Sequence, residues 1–247
     1  MVLCQSKNAF ELSGSKRLID KIEIFGGPSL SFNYGNKFIE NFNDGNFENK
    51  RLFKLRYAIG IGLCRGLANR VDLNLRMQYH QRGTKNELRL PENGTVTSSS
   101  YTYSYATIQA ATILWLGQNK EWFLTIGGYY SKLNSLLGRE KILDSNQNKV
   151  IKDEKFKGRY FVAVRDDGTI YSSTWQPGYS GIEKDDFGII SSLGYVLPIS
   201  GKSAVMIQLT DSYGIANINR NNPYSLKEKN HSISFLIGYI LNRSSNR

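Results

Sequence analysis

Few side chains in this 247-residue chain have the types and spacing that chemistry demands. There are two histidines, His80 and His231, and two cysteines, Cys4 and Cys64. Neither histidine has cysteine or carboxylate partners at ligand spacing, so the pattern points to no metal site and no cofactor. His80, joined by a serine and an aspartate from loops, is what a hydrolytic or acyl-transfer site would need. The simpler role for His80 is a polar group in a hydrogen-bonded interior. No GxSxG, Walker or GxGxxG element stands in the right context, so no catalytic residue is assigned. Cys4 and Cys64 read most simply as unrelated thiols. A disulfide tethering the N-terminal stretch, or a lipid on Cys4, are the other readings.

The remaining candidates are charges, and their placement depends on the elements that carry them. From Phe53 the chain reads FKLRYAIGIGLC, a strict period-two alternation. Phe53, Leu55, Tyr57, Ile59, Ile61 and Leu63 share one face; Lys54, Arg56, Ala58, Gly60, Gly62 and Cys64 share the other. Val71, Leu73, Leu75, Met77 and Tyr79 repeat the pattern against Asp72, Asn74, Arg76, Gln78 and His80. Further alternating runs begin near Ile22, Tyr101, Glu121, Phe187, Val205 and Ile233, which makes eight strands. The run near Tyr101 is the least regular and its register stays open. Pro28, inside the first strand, predicts an irregularity or bulge there.

Connections alternate in length. Short turns fall around Leu67, Gln118-Asn119 and Pro198–Lys202. Long polar connections cover 36–50, 84–100, 134–184 and 217–230. That rhythm predicts an all-β fold, an eight-stranded antiparallel transmembrane β-barrel with long extracellular loops and short periplasmic turns. The domain reading is an N-terminal periplasmic stretch over 1–19, read as a signal remnant, one barrel over 20–241 with an extended outer hairpin loop at 134–184, and a C-terminal tail over 242–247.

 Short apolar runs leave no stretch long enough for a transmembrane helix, and the mean hydropathy of −0.39 conceals the alternating strands.

Face chemistry separates a membrane barrel from a soluble, lipocalin-like one. A row of small residues, Ala58, Gly60 and Gly62, suits a cramped lumen better than a solvated wall. The lumen is therefore expected to hold a charged network of Glu23, Lys54, Arg56, Asp72, Arg76 and His80, with Lys54, Arg56 and Arg76 pairing with Asp72 and Glu23. Two aromatic belts are expected where strands cross the headgroup layers. Tyr34, Phe53, Tyr79, Tyr101, Tyr103, Tyr130 and Tyr213 form the one beside the long loops. Trp115, Trp122, Tyr195 and Tyr239 form the one beside the short turns.

The 134–184 connection is the most individual segment. YFVAV (Tyr160–Val164), RDDG and TIYSS read as a hairpin with an Asp-Gly turn. Tyr160, Trp175 and Tyr179 are its candidates for contact with another protein or a glycan. The net charge of +11 comes from scattered basic residues, so it suggests lipid headgroups as partner and not nucleic acid.

Several segments together resemble the PorT-like outer-membrane β-barrel family of Bacteroidota. They are Val71–Lys85 (VDLNLRMQYHQRGTK), Tyr105–Leu116 with Trp122–Tyr130 (WFLTIGGYY), Phe187–Leu197 (FGIISSLGYVL) and Ser232–Leu241 (SISFLIGYIL). The likeness covers residues 20–241 and departs from the family in the long fifth-to-sixth connection and the tail after Leu241. It implies a β-barrel fold and a place in the outer membrane of a Gram-negative bacterium; the rhythm of short turns and long loops puts the termini in the periplasm, and other outer-membrane or periplasmic proteins are the expected partners. The expected role is non-enzymatic: an accessory or scaffold subunit of a larger assembly. A narrow channel, a rim enzyme and a soluble ligand-binding barrel are the alternatives.

Overall fold

The computed structural model describes residues 19–35, 48–89, 96–117, 119–143, 150–157, 160–164, 170–174, 185–200, 202–217 and 228–242. Twelve strands run through them: β1 (Lys21–Gly35), β2 (Glu48–Leu52), β3 (Lys54–Ala68), β4 (Val71–Arg89), β5 (Val96–Leu116) and β6 (Trp122–Leu143), then β7 (Val150–Lys157), β8 (Tyr160–Val164), β9 (Ile170–Thr174), β10 (Asp185–Ser200), β11 (Ser203–Gly214) and β12 (Glu228–Asn242). Eight of them, β1, β3, β4, β5, β6, β10, β11 and β12, form one antiparallel sheet that closes on itself where β6 pairs β10. The first and last strands are neighbours, with Ile22 opposite Leu241 and Leu30 opposite Ile233.

Alternation decides which side chains line the wall. Ile24, Leu55, Ile61, Met77, Ile126 and Phe235 point outward and are 45% to 64% exposed. Their alternates Glu23, Arg76, His80, Thr125 and Ser234 point inward and are buried. A soluble barrel has the opposite distribution, with large apolar side chains inside. The wall is therefore built for hydrocarbon. On β6 the outer face carries Leu124, Ile126, Gly128 and Tyr130 between Trp122 and Lys132. At the usual rise and a tilt of roughly 40°, that run spans about 25 Å, the height of a membrane-crossing apolar band.

Three expectations need correction. Pro28 causes no bulge: β1 keeps one register with β3 through Pro28 and Tyr57. Its ladder with β12 merely skips from Gly26–Ile237 to Ser29–Ser234 without shifting. A proline that faces a skipped rung loses no hydrogen bond. The connections at 84–100 and 134–184 are also more structured than polar loops. β4 and β5 run on to Arg89 and from Val96, and β6 runs on to Leu143. With β2 on β4 and β7 on β6, five strands rise past the barrel as one sheet. Trp115, Tyr101 and Tyr103, assigned to the belts, are buried and face inward. On β5 both faces carry apolar residues: Tyr105, Ile113 and Trp115 inside, Ala106, Ile108 and Ala110 outside. The contrast that marks a face is lost there.

A separate hairpin joins β8 and β9, with Tyr160 opposite Thr174. The N-terminal stretch with Cys4, the turn at 165–168, Trp175, Tyr179 and the tail after Asn242 lie outside the described residues, as does the side chain of Tyr160.

Candidate functional site: the filled lumen and its loop end

The lumen is layered. At the turn end, Lys21 Nζ sits 2.7 Å from Asp72 Oδ2, and the Trp115 indole donates to the same oxygen at 2.9 Å. The Lys21 ammonium also lies 4.6 Å from the centre of the Trp115 ring. This is why Trp115 turns inward: its N–H finds a carboxylate that the outer wall does not offer.

One layer up, Arg76 Nε donates to Glu23 Oε2 at 2.9 Å. Asn74 donates to Glu23 Oε2 and the Cys64 thiol to Oε1, at 3.3 and 3.0 Å. The Arg76 guanidinium rests 4.9 Å from the centre of the Phe25 ring. Gly60 and Gly62 make this layer possible. A Cβ on Gly62 would stand 2.6 Å from Glu23 Oε2, and one on Gly60 2.7 Å from the Phe25 ring. The small residues of β3 are the hollow into which these groups fit. Cys64 is a free thiol held in this layer.

His80 occupies the middle of the lumen. Its Nε2 is 2.9 Å from Ser29 Oγ, and Arg82 Nε donates to its Nδ1 at 3.4 Å. An Nδ1 that accepts leaves the proton on Nε2, so His80 donates to Ser29. A serine-activating histidine needs the reverse: a free Nε2 lone pair and an Nδ1–H held by a carboxylate. The serine–histidine contact is present, but an arginine occupies the place of the acid.

Above it lies a cluster that the sequence reading missed. Arg82 pairs with Asp186, and both are buried. Tyr129 and Asn230 donate to Asp186 Oδ2 at 3.2 and 3.1 Å, and Asn230 reaches the Tyr105 hydroxyl at 3.2 Å. The Arg82 guanidinium lies 4.8 Å from the Tyr129 ring centre and 5.3 Å from that of Tyr105. Carrying the alternation of Phe187 and Ile189 back by one residue would have placed Asp186 on the lumen face.

Lys54 and Arg56 stand near the loop end, half-buried against the face of β5 opposite Tyr101 and Tyr103, and neither join the lumen network nor pair with Asp72 or Glu23 as expected. Lys54 Nζ donates to Ser100 Oγ, the Tyr101 carbonyl and Thr102 Oγ1, at 2.6, 2.7 and 2.9 Å. Arg56 Nη2 donates to the same Thr102 oxygen at 2.8 Å. The carboxylates sit deeper, where Lys21 and Arg76 are nearer.

Of the remaining aromatics, Phe53, Trp122, Tyr130, Tyr213 and Tyr239 are exposed on the outer wall. Tyr34, Tyr79 and Tyr195 are partly covered; Tyr34 donates to the Gly214 carbonyl, and Tyr195 to Glu121. Among the described residues, no group of three His, Cys, Asp or Glu is placed to hold a metal ion.

No protein-family model matches the sequence, and no curated protein matches it. Solved structures with a similar layout include Neisserial surface protein A, at 10% identity and a TM-score of 0.38, covering 90% of this chain and 96% of that one. The outer membrane protein OprG from Pseudomonas aeruginosa is similar at 9% identity and a TM-score of 0.39, covering 91% and 97%. The outer membrane protease OmpT from Escherichia coli is similar at 11% identity and a TM-score of 0.47, covering 91% and 96%.

Proposed function

We propose that this chain is an integral outer-membrane β-barrel of a Gram-negative bacterium that acts without catalysis, anchoring a raised sheet and outer hairpins for contact with other proteins of a larger assembly. Kinship with the PorT-like barrels of Bacteroidota is part of this reading, as is a periplasmic location for the turn end and termini. The observation that carries it is the contrast between wall and lumen. The wall is apolar over the height of a bilayer, and the lumen is filled by side chains that a water molecule hardly reaches. Arg82, Tyr103, Tyr105, Phe123, Met206 and His80 are each less than 2% exposed. Side chains packed in this way fill the lumen at their levels, which speaks against a channel. The proton position on His80 speaks against the serine–histidine enzyme. What remains for function is the surface: the five-stranded extension and the β8–β9 hairpin.

The test is purification from the native host in mild detergent, followed by identification of what accompanies the barrel. Stoichiometric outer-membrane or periplasmic partners are expected, and their loss on deleting 144–184. A lone monomer would sink the scaffold reading. Planar-bilayer recordings are expected to show no conductance steps; regular steps would restore the channel.

A further inference from the structure

Charge is balanced among the described residues of the lumen and unbalanced beside it, toward the loop end. Below, Lys21 faces Asp72 and Arg76 faces Glu23. Above, Arg82 takes Asp186, and two more cations, Lys54 and Arg56, lie against the other face of β5. Among the described residues, no ion pair includes Lys54 or Arg56. Besides carbonyls and the Ser100 hydroxyl, both donate to one neutral oxygen, Thr102 Oγ1, at 2.9 and 2.8 Å. Two like charges converging on a hydroxyl repel one another, and a hydroxyl neutralises neither. Arg56 Nε is also buried without a hydrogen-bond partner, so one arm of its donor fork is unused.

The arrangement is held in place. The Lys54 stem passes over Gly83, where a Cβ would stand 2.9 Å from Lys54 Cδ. Ser100 and Thr102 lie on the same face of one strand, β5. Lys54 and Arg56 are only half-buried.

We propose that Lys54 and Arg56, with Ser100 and Thr102, form an oxyanion-binding site near the loop end, against the face of β5 opposite Tyr101 and Tyr103, sized for a phosphate group. The anion sits between the two cations, against the Thr102 hydroxyl. It accepts from Lys54 Nζ and from the Nε–Nη2 edge of Arg56, the planar fork that matches two oxygens of a phosphate. The site binds either free phosphate or the phosphate of a small ester that enters from outside.

The test uses the full-length barrel in detergent micelles, titrated with inorganic phosphate and, separately, with a sugar phosphate. Calorimetry and the Arg56 Nε–Hε resonance are followed together. Saturable one-to-one binding that shifts this resonance is expected. K54Q and R56Q should each weaken it about tenfold or more, the usual loss for one charge-assisted bond. K120Q, in a turn at the far end, should leave it unchanged. Tighter binding of the ester identifies a carried phosphate; equal binding identifies the free ion. Heat-modifiable migration in gels checks that each variant folds. Where one does not, the wild-type Arg56 resonance decides: an unmoved signal overturns the site. Binding by K54Q and R56Q equal to wild type, or equal weakening by K120Q, overturns it as well.

Discussion

Glu23 and Arg76 show what a buried charge demands. The pair is 2% exposed on both sides, so each ion depends on the other and on Asn74 and Cys64 for what water would supply. R76M leaves an unpaired buried carboxylate and should destabilise the barrel by about 3–5 kcal/mol, whereas E23L/R76M should recover most of that loss. Denaturant titration of unfolding in micelles measures both. Outside the wall, Arg139 donates two hydrogen bonds to Asp153, at 2.7 and 2.6 Å, and holds that carboxyl below the usual range. Such a group adds stability above the ordinary aspartate pKa of about 3.9, and the contribution fades as pH falls through the lowered value. Carboxyl NMR should find the Asp153 midpoint low in the wild type and near the ordinary value in R139Q. An unchanged midpoint in R139Q would refute the bond as its cause. At this scale the lumen-facing identity of Glu23, Asp72, Arg76 and His80 could be read from alternation alone. Their partners could not, because pairing across a barrel depends on stagger between strands that are distant in sequence.

Strands were legible where their two faces differ. β3 and β4 set apolar against charged or small residues, and their faces lie as the alternation says. β5 sets tyrosine and tryptophan inside against alanine and threonine outside, so period two carries little contrast there. The upward continuation of β4, β5 and β6 was illegible for another reason: above the rim, water reaches both sides and polar residues no longer mark a face. The seam between β1 and β12 gives a sharp expectation. A Cβ on Gly27 would stand 1.9 Å from the Phe235 carbonyl oxygen, while one on Gly128 would meet nothing closer than 3.6 Å. G27A should therefore lose the heat-modifiable folded form on refolding, and G128A should keep it. Equal yields of folded barrel for the two would show that the seam tolerates a side chain.

For the whole molecule, the decisive property is the inversion of inside and outside. Ile61 is 53% exposed on the wall. Placing a lysine there puts a charge into hydrocarbon, at a cost of about 2–4 kcal/mol near the bilayer midplane. Equilibrium folding of I61K into vesicles should show that loss, whereas a barrel that lives in water would gain solubility from the same change. The closure of the sheet has a consequence for assembly. Lys21 pairs with Asn242 and Gly35 with Glu228, so the final rungs join segments almost the whole chain apart. Until β12 arrives, β1 and β11 both present bare edges, which hydrocarbon does not tolerate and which stick to other strands in water. Such distant contacts form slowly. The unfinished barrel is thus a dependent object: from the emergence of its first strand to the docking of its last, something else must shield two open edges at once.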